Sequence, residues 1–174
     1  VDNSLPVVLL MTRDYATVHG PAARIYTGIE SGIMSAVRLL YESGCRNLVH
    51  VDRVSRNLHF SNRQDLRFRG FCNQMETLGI QLTEHSIISG CRDYDELFSA
   101  VCARIQSDEP VDGFVCRNDR LACTVLNAVL ACGKKVPDDI SVIGFDDSDS
   151  SKVIRPALST IAMDQKGIAS AALE

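Results

Sequence analysis

Several features that would announce a specific chemistry are missing from this 174-residue sequence. It has no tryptophan, and no apolar run approaches the roughly 18 residues that a membrane-spanning helix needs. Lysine and arginine form no basic block, and the net charge is −4. Because a nucleic-acid interface needs clustered positive charge, this chain is not expected to bind nucleic acid by itself.

Recognisable catalytic motifs are missing as well. There is no G-K-[ST] phosphate loop and no G-x-S-x-G nucleophile turn. His50 lies in the middle of a predicted strand, where a core position is expected. We therefore predict that the chain is not an enzyme. One alternative stays open: Asp146, Asp147 and Asp149 form an acidic group in which a hydrolase could hold a divalent metal ion.

The seven cysteines include no C-x-x-C pair, and an odd number cannot pair completely within one chain. Most of them lie in apolar stretches, where a free cysteine behaves as a small hydrophobic residue. We predict reduced thiols, a cytoplasmic location, and no metal or cofactor.

Short apolar strands alternate with helical patterns along the whole chain. Strands are predicted at 6–11, 46–51, 85–89, 113–117, 140–145 and 158–164, and helices at 30–43, 62–79, 93–108 and 119–133, with a further helix beginning near the end. Strands of five or six residues between longer helices indicate βαβ units and a parallel sheet. The predicted class is therefore α/β, with helices covering both faces of the sheet.

Polar side chains gather where the predicted strands end. Asp52 follows one strand, Asn118 follows another, and Asp146 comes directly after "SVIGF". Ligands bind beyond the carboxyl ends of strands in open parallel sheets, so these side chains predict a binding cleft. Either Asn118 or Asp119 could cap the following helix, which leaves open which of them faces the cleft.

The segment "VPDDISVIGFDDSDSSKVIRPALSTIAMD" resembles the closing part of the effector-binding domain of the lactose-repressor/galactose-repressor family of bacterial transcription regulators. The segments "VDGFVCRNDRLACTVLNAVLACGKKVP", "RFRGFCNQMETLGI" and "SAVRLLYESGCRNLVHV" resemble earlier parts of the same domain in the same order. The resemblance covers nearly the whole chain. It leaves out the family's opening βαβ unit, its DNA-binding domain and its closing segment.

The resemblance implies a periplasmic-binding-protein-like type I fold, with two parallel-sheet lobes between which the chain crosses. Residues 1–52 would belong to the N-terminal lobe, 53–157 to the C-terminal lobe, and 158–174 would return to the first. The family's effector contacts fall on these positions of this sequence: Arg67, Asn118, Asp146, Tyr94 and Ser61.

The function implied is that of a ligand-sensing domain. A small sugar-like effector would bind in the cleft between the lobes, and closure of the lobes would be coupled to DNA binding by a separate domain. The family forms homodimers, and Leu121, Val125 and Val129 offer an apolar ridge that either contacts a second copy or packs on the sheet. A solute-binding protein of a sugar transporter shares the fold and is the second alternative.

Overall fold

The computed structural model describes residues 8–11, 23–54 and 65–173. Its centre is a parallel sheet of five strands, in the order β4-β3-β5-β6-β7. These strands are β3 (Leu48–Val51), β4 (Ile87–Ile88), β5 (Gly113–Cys116), β6 (Ser141–Phe145) and β7 (Ser159–Ile161). All four pairings are parallel, so the predicted α/β class is confirmed.

Helices connect the strands and lie on both faces of this sheet. They are α1 (Ile29–Glu42), α2 (Leu66–Thr77), α3 (Tyr94–Gln106), α4 (Asp119–Ala131) and the short α5 (Asp149–Val153). The four long helices and β3, β5 and β6 match the predicted segments to within a few residues. The α5 helix was not predicted, because its five residues are too few to display a helical period.

Two hydrophobic cores separate the helices from the sheet. On one face α3 and α4 bury side chains such as Leu97 and Val125 against Phe114. On the other face α1 and α2 bury Ile33 and Phe71. Strands covered on both sides must be apolar at every position, which explains why these strands show no alternation of polar and apolar residues.

The ridge formed by Leu121, Val125 and Val129 faces inward. These residues are 2%, 0% and 0% exposed and belong to the core between α4 and the sheet. Spacing along a helix identifies which residues share a face but not what that face meets, and here it meets the sheet. This ridge therefore cannot contact a second copy of the chain.

Two further strands form a separate sheet. The parallel strands β1 (Val8–Met11) and β2 (Ala23–Tyr26) pair with each other, and the last helix, α6 (Gln165–Leu173), contacts β2. The chain passes from β2 into α1 through Thr27 and Gly28, and from β7 back to α6 through 162–164. Gly28 has a φ of 70°, a left-handed conformation that favours glycine at this turn.

The strands do not divide at the lobe boundaries predicted at 52/53 and 157/158. Both β3, which precedes residue 52, and β7, which follows residue 157, belong to the five-stranded sheet. An apolar sequence such as "LVHV" predicts that a strand is buried, but membership of a sheet depends on pairing with distant strands. The described elements instead separate β1, β2 and α6 from the region between α1 and β7.

Candidate functional site

Four charged side chains form a closed network where β3 and β5 end. Arg117, directly after β5, has its Nη1 2.6 Å from Asp65 Oδ2 and 3.2 Å from Asp52 Oδ1. Arg53 Nη2 lies 2.8 Å from the same oxygen of Asp65. Asp65 also caps α2 by accepting a hydrogen bond from the Arg67 amide. Asp65 therefore joins β3, β5 and the beginning of α2.

The carboxylates of this network are buried, at 2% exposed for Asp52 and 3% for Asp65. Burial alone would raise the pKa of Asp65, but the Arg117 guanidinium, the hydrogen bonds from Arg117 and the Arg67 amide, and the charge of Arg53 together lower it below its ordinary value. Asp65 is therefore held as a carboxylate, with its oxygen atoms already engaged.

His50 lies directly behind this network, in the middle of β3. It is fully buried beside the rings of Phe68 and Phe71, and neither of its ring nitrogens makes a hydrogen bond to the described residues. Burial lowers its pKa to about 4, Asp52 opposes this shift, and the Arg117 charge adds to it. The imidazole is therefore neutral near neutral pH, which agrees with the core position predicted from the sequence.

The end of β6 is arranged differently. Arg67 Nη2 is 3.4 Å from Asp146 Oδ1, and the guanidinium carbon lies 4.9 Å above the centre of the Phe145 ring. The Arg67 side chain is 12% exposed, and its Nε makes no hydrogen bond to the described residues, whereas 38% of the Asp146 side chain is exposed. This long contact leaves donors and acceptors available to a ligand.

The backbone at this point is strained. Asp146 and Asp147 have φ values of 101° and 50°. Residues other than glycine rarely adopt this region of backbone conformation. Such conformations persist where the surrounding structure holds them, and they cluster at functional sites. Burial raises the pKa of Asp146 above its ordinary value, although the Arg67 charge opposes the shift.

Asp119 connects the ends of β6 and β7 from inside the protein. Its side chain is 1% exposed and accepts hydrogen bonds from the Thr160 hydroxyl at 2.5 Å and from the Ser148 amide at 2.6 Å. A Cβ atom at position 144 would overlap with Asp119 Oδ1, so the position requires glycine while Asp119 points inward. The glycine of the "GFDD" segment therefore makes room for a carboxylate that positions the loop carrying Asp146.

The structure also decides which residue caps α4. Asn118 Oδ1 accepts a hydrogen bond from the Leu121 amide at 3.0 Å, so Asn118 is the cap and Asp119 turns inward. Asn118 follows Arg117 at the same sheet edge. No described contact joins its side chain to Arg67 or Asp146.

The remaining predicted site residues have different outcomes. Tyr94 is the first residue of α3, and its ring lies 4.7 Å from the Arg120 guanidinium carbon, with no described contact to Arg67 or Asp146. Ser61 lies outside the described residues. The neighbouring arginine of "LRFRGF", Arg69, points away from the site and pairs with Glu30 Oε2 at 2.6 Å. The structure thus brings together Arg67 and Asp146.

The acidic group at 146–149 does not converge on one point. Asp146 faces Arg67, and Asp147 Oδ1 lies 3.5 Å from Lys152 Nζ. Asp149 is the first residue of α5. Across residues 8–11, 23–54 and 65–173, no group of three or more His, Cys, Asp or Glu side chains could hold a metal ion. The arrangement therefore gives no support to the metal-dependent hydrolase alternative.

The carboxyl edge of this parallel sheet thus carries an open Arg–Asp pair beside a closed charge network. The chain belongs to the family described as a periplasmic binding protein-like domain, whose pattern matches residues 37–174. It is 31% identical over 137 residues to the probable HTH-type transcriptional repressor ExuR of Bacillus subtilis, covering 79% of this chain and 40% of the repressor. The chain thus spans less than half of that relative's length.

Solved structures agree with this assignment. A LacI transcriptional regulator from a Rhodococcus species superposes with a TM-score of 0.76 at 27% identity, over 97% of this chain and 60% of that protein. A LacI family regulator from Lactobacillus casei, solved with bound glucose, has the same fold, with a TM-score of 0.78 at 22% identity over 95% of this chain and 60% of the other. The resemblance predicted from the sequence is confirmed.

Proposed function

We propose that this chain is the effector-binding part of a bacterial transcription regulator, and that a small neutral sugar-like molecule binds at Arg67 and Asp146. The observation that supports this most is the open pair at the end of β6, where Arg67 and Asp146 meet through a single 3.4 Å contact and 38% of the Asp146 side chain is exposed. Sugar hydroxyls both donate and accept hydrogen bonds, so one hydroxyl pair can satisfy both groups.

The charge balance favours a neutral effector over an anionic one. Three arginines at this edge, Arg53, Arg67 and Arg117, each lie within 3.4 Å of a carboxylate oxygen of Asp65 or Asp146. An anion would have to displace these carboxylates to gain a positive partner.

Binding would act by shifting an equilibrium between open and closed lobes. The chain leaves the five-stranded sheet at 162–164, and a depression beside Asp146 and Asp147 is lined by these residues together with Gln165 and Lys166. A ligand in contact with Asp146 therefore lies next to the segment that leads to α6. Differential affinity for the two states would couple the effector to a DNA-binding domain elsewhere in the protein.

A thermal-shift panel of neutral monosaccharides, the corresponding sugar phosphates and nucleosides tests this proposal. A true effector present at about a hundred times its Kd stabilises the folded state by about 2.7 kcal/mol. We expect neutral sugars to raise the melting temperature more than their phosphates do. Shifts confined to phosphorylated ligands would contradict the neutral class, and shifts confined to nucleosides would contradict a sugar effector.

Arg67→Met keeps much of the side-chain volume and removes the guanidinium, so it should abolish the shift given by the best ligand of the panel. Arg155→Met, an exposed arginine at the other end of β7 whose guanidinium bonds only carbonyl groups among the described residues, is the matched control and should keep the shift. Equal shifts in both variants would place the ligand elsewhere.

We also propose a homodimer and a cytoplasmic location. With the ridge of α4 buried, the outward side chains Leu130 and Val153, 40% and 76% exposed, are the apolar candidates for the contact between copies. All seven cysteines are free thiols, as a reducing compartment favours. No helix in the described part of the chain is long and apolar enough to cross a membrane. Sedimentation of the wild type and Val153→Asp tests the dimer, which the variant should weaken.

A further inference from the structure

Two cysteines from different helices approach one backbone oxygen on the face of the molecule formed by α3 and α4. Cys102, within α3, directs its thiol to the carbonyl oxygen of Ala128 at 4.0 Å. Cys132, which ends α4, donates its amide to the same oxygen at 3.0 Å. Both residues are partly exposed, and the Cys132 thiol lies near enough to raise the pKa of the Cys102 thiol.

The other five cysteines lack this combination. Cys45, Cys72, Cys91 and Cys116 are buried, which keeps oxidants away from them. Cys123 is partly exposed, but its thiol points to the carbonyl oxygen of Ser150 at 3.8 Å. Cys102 and Cys132 are therefore the two cysteines that combine solvent access with an approach to the same backbone oxygen.

We propose that Cys102 and Cys132 are a modification site, a dithiol that forms an intramolecular disulfide when it meets a peroxide or a disulfide oxidant. One thiolate attacks the peroxide oxygen and becomes a sulfenic acid, with release of water. The second thiol then attacks that sulfur, the S–S bond forms, and a second water leaves. The two thiols lose two electrons and two protons, and one peroxide is reduced to two waters.

The packing of α3 against α4 brings both residues to the Ala128 carbonyl oxygen, so the two side chains lie on the same face before the sulfur atoms close to the bonding distance of about 2.05 Å. The loop closed by the disulfide, residues 103–131, contains β5 and all of α4, with Arg117 and Asn118 between them. Oxidation would therefore tie together the segment that carries Arg117 of the closed network and Asp119, which positions the loop carrying Asp146. The disulfide itself does not depend on the proposed effector.

The chemistry also sets suitable conditions. Burial and the neighbouring Cys132 thiol raise the pKa of Cys102. Less thiolate is then present at neutral pH, so the reaction is slower there than at an ordinary surface thiol. Oxidation should accelerate as the pH rises from 7 towards 8.5.

The test treats the folded full chain with equimolar hydrogen peroxide or oxidised glutathione at pH 8, followed by alkylation and peptide mass spectrometry without reduction. We expect the peptides of Cys102 and Cys132 to be the dominant linked pair, about 2 Da lighter than the two reduced peptides together, and two fewer thiols to be alkylated. Oxidation that leaves these two cysteines unlinked, or links them only between copies of the chain, would overturn the proposal.

Serine variants sharpen the assignment, because serine replaces the thiol with little change in shape. Cys102→Ser and Cys132→Ser should each abolish the linked pair and leave the remaining partner alkylatable. Cys123→Ser, on the same helix, should leave the linked pair unchanged. Thermal melting of each reduced variant checks that it folds. A linked pair involving Cys123 in the wild type, lost in Cys123→Ser, would show that a different thiol is the reactive one.

Discussion

The two halves of one sheet edge use the same residue types for different purposes. At the ends of β3 and β5, Asp65 lies 2.6 Å from Arg117 and 2.8 Å from Arg53, and it is almost completely buried. At the end of β6, Arg67 and Asp146 are 3.4 Å apart, and the carboxylate is 38% exposed. We call the buried network around Asp65 the closed half of the edge. The pair of Arg67 and Asp146, which a ligand can reach, is the open half.

A charged residue at a strand end is therefore not, by its charge alone, identified as a residue that contacts a ligand. A buried carboxylate with several donors already has the partners that stabilise it, and a ligand could only replace them at a cost. A partly exposed carboxylate on a strained backbone, paired through one long contact, gains from a new partner. The closed half therefore positions the open half, through the cap that Asp65 gives to the helix carrying Arg67.

The largest effect is expected when the closed half is broken. Asp65→Ala leaves Arg117 and Arg53 without their shared carboxylate and removes the cap of α2, so the free energy of unfolding should fall by about 3 kcal/mol. Asp65→Asn keeps a capping oxygen and loses only the charge, so it should lie between Asp65→Ala and the wild type. Urea unfolding measures both variants.

Asp149→Ala is the matched control for that series, because Asp149 is an exposed acid at the beginning of α5. Its free energy of unfolding should change by no more than about 0.5 kcal/mol. If Asp65→Ala were as mild as Asp149→Ala, the closed network would contribute nothing to stability, and the contrast between the two halves would fail.

A second effect comes from His50, behind the closed half. The pKa of His50 is about 4 in the folded chain, below the ordinary 6.5. Between these two pH values the imidazole is protonated in the unfolded chain and neutral in the folded chain. Stability is fully present above pH 6.5 and falls as the pH drops towards 4, by about 3 kcal/mol in all. In His50→Phe that part of the slope should vanish. Equal slopes for variant and wild type in pH-dependent urea unfolding would contradict a buried neutral imidazole.

The smallest effect separates the two carboxylates by the sign of their pH dependence. The pKa of Asp65 is lowered in the folded state, so its contribution is present above its unfolded pKa and is lost as the pH falls through the folded value. The pKa of Asp146 is raised, so its contribution is present below its unfolded pKa and is lost as the pH rises through the folded value.

Asp146→Asn should therefore remove a small falling slope at pH values above the unfolded pKa of aspartate, and Asp65→Asn a rising slope at pH values below it. Asparagine also tolerates the positive φ at position 146, and the stability of Asp146→Asn at pH 7 should lie within about 1 kcal/mol of the wild type. Slopes of the same sign in the two difference curves would mean that both carboxylates are held in the same way.

The sequence alone was sufficient for much of this fold. Apolar strands and helical periods located the long helices and most of the five-stranded sheet, and the polar residues after β6 predicted the position of Asp146. These features are local, or they depend on the rule that parallel strand ends meet at one edge. Arg67, which the structure brings to Asp146, was assigned instead by the family resemblance.

Features that depend on contacts between distant segments were not predictable. Asp65 connects several elements because Arg53 and Arg117 reach it from the ends of two different strands, whereas the helix predicted at 62–79 placed Asp65 inside the helix and not at its cap. Asn118 rather than Asp119 caps α4, because Gly144 leaves space for Asp119 to turn inward. The pairing of β3 and β7 with β5 and β6 likewise depends on register between strands far apart in the chain.

The most direct test is calorimetric titration of the best neutral sugar from the panel into folded Asp146→Asn and Asp65→Asn. We expect Asp146→Asn to bind the sugar about a hundredfold more weakly, because the substitution removes a charged hydrogen bond worth up to about 3 kcal/mol. The free energy of unfolding of this variant should be retained. Asp65→Asn should lose stability and keep most of its affinity. Unchanged affinity in Asp146→Asn would contradict the assignment of the open pair as the effector site.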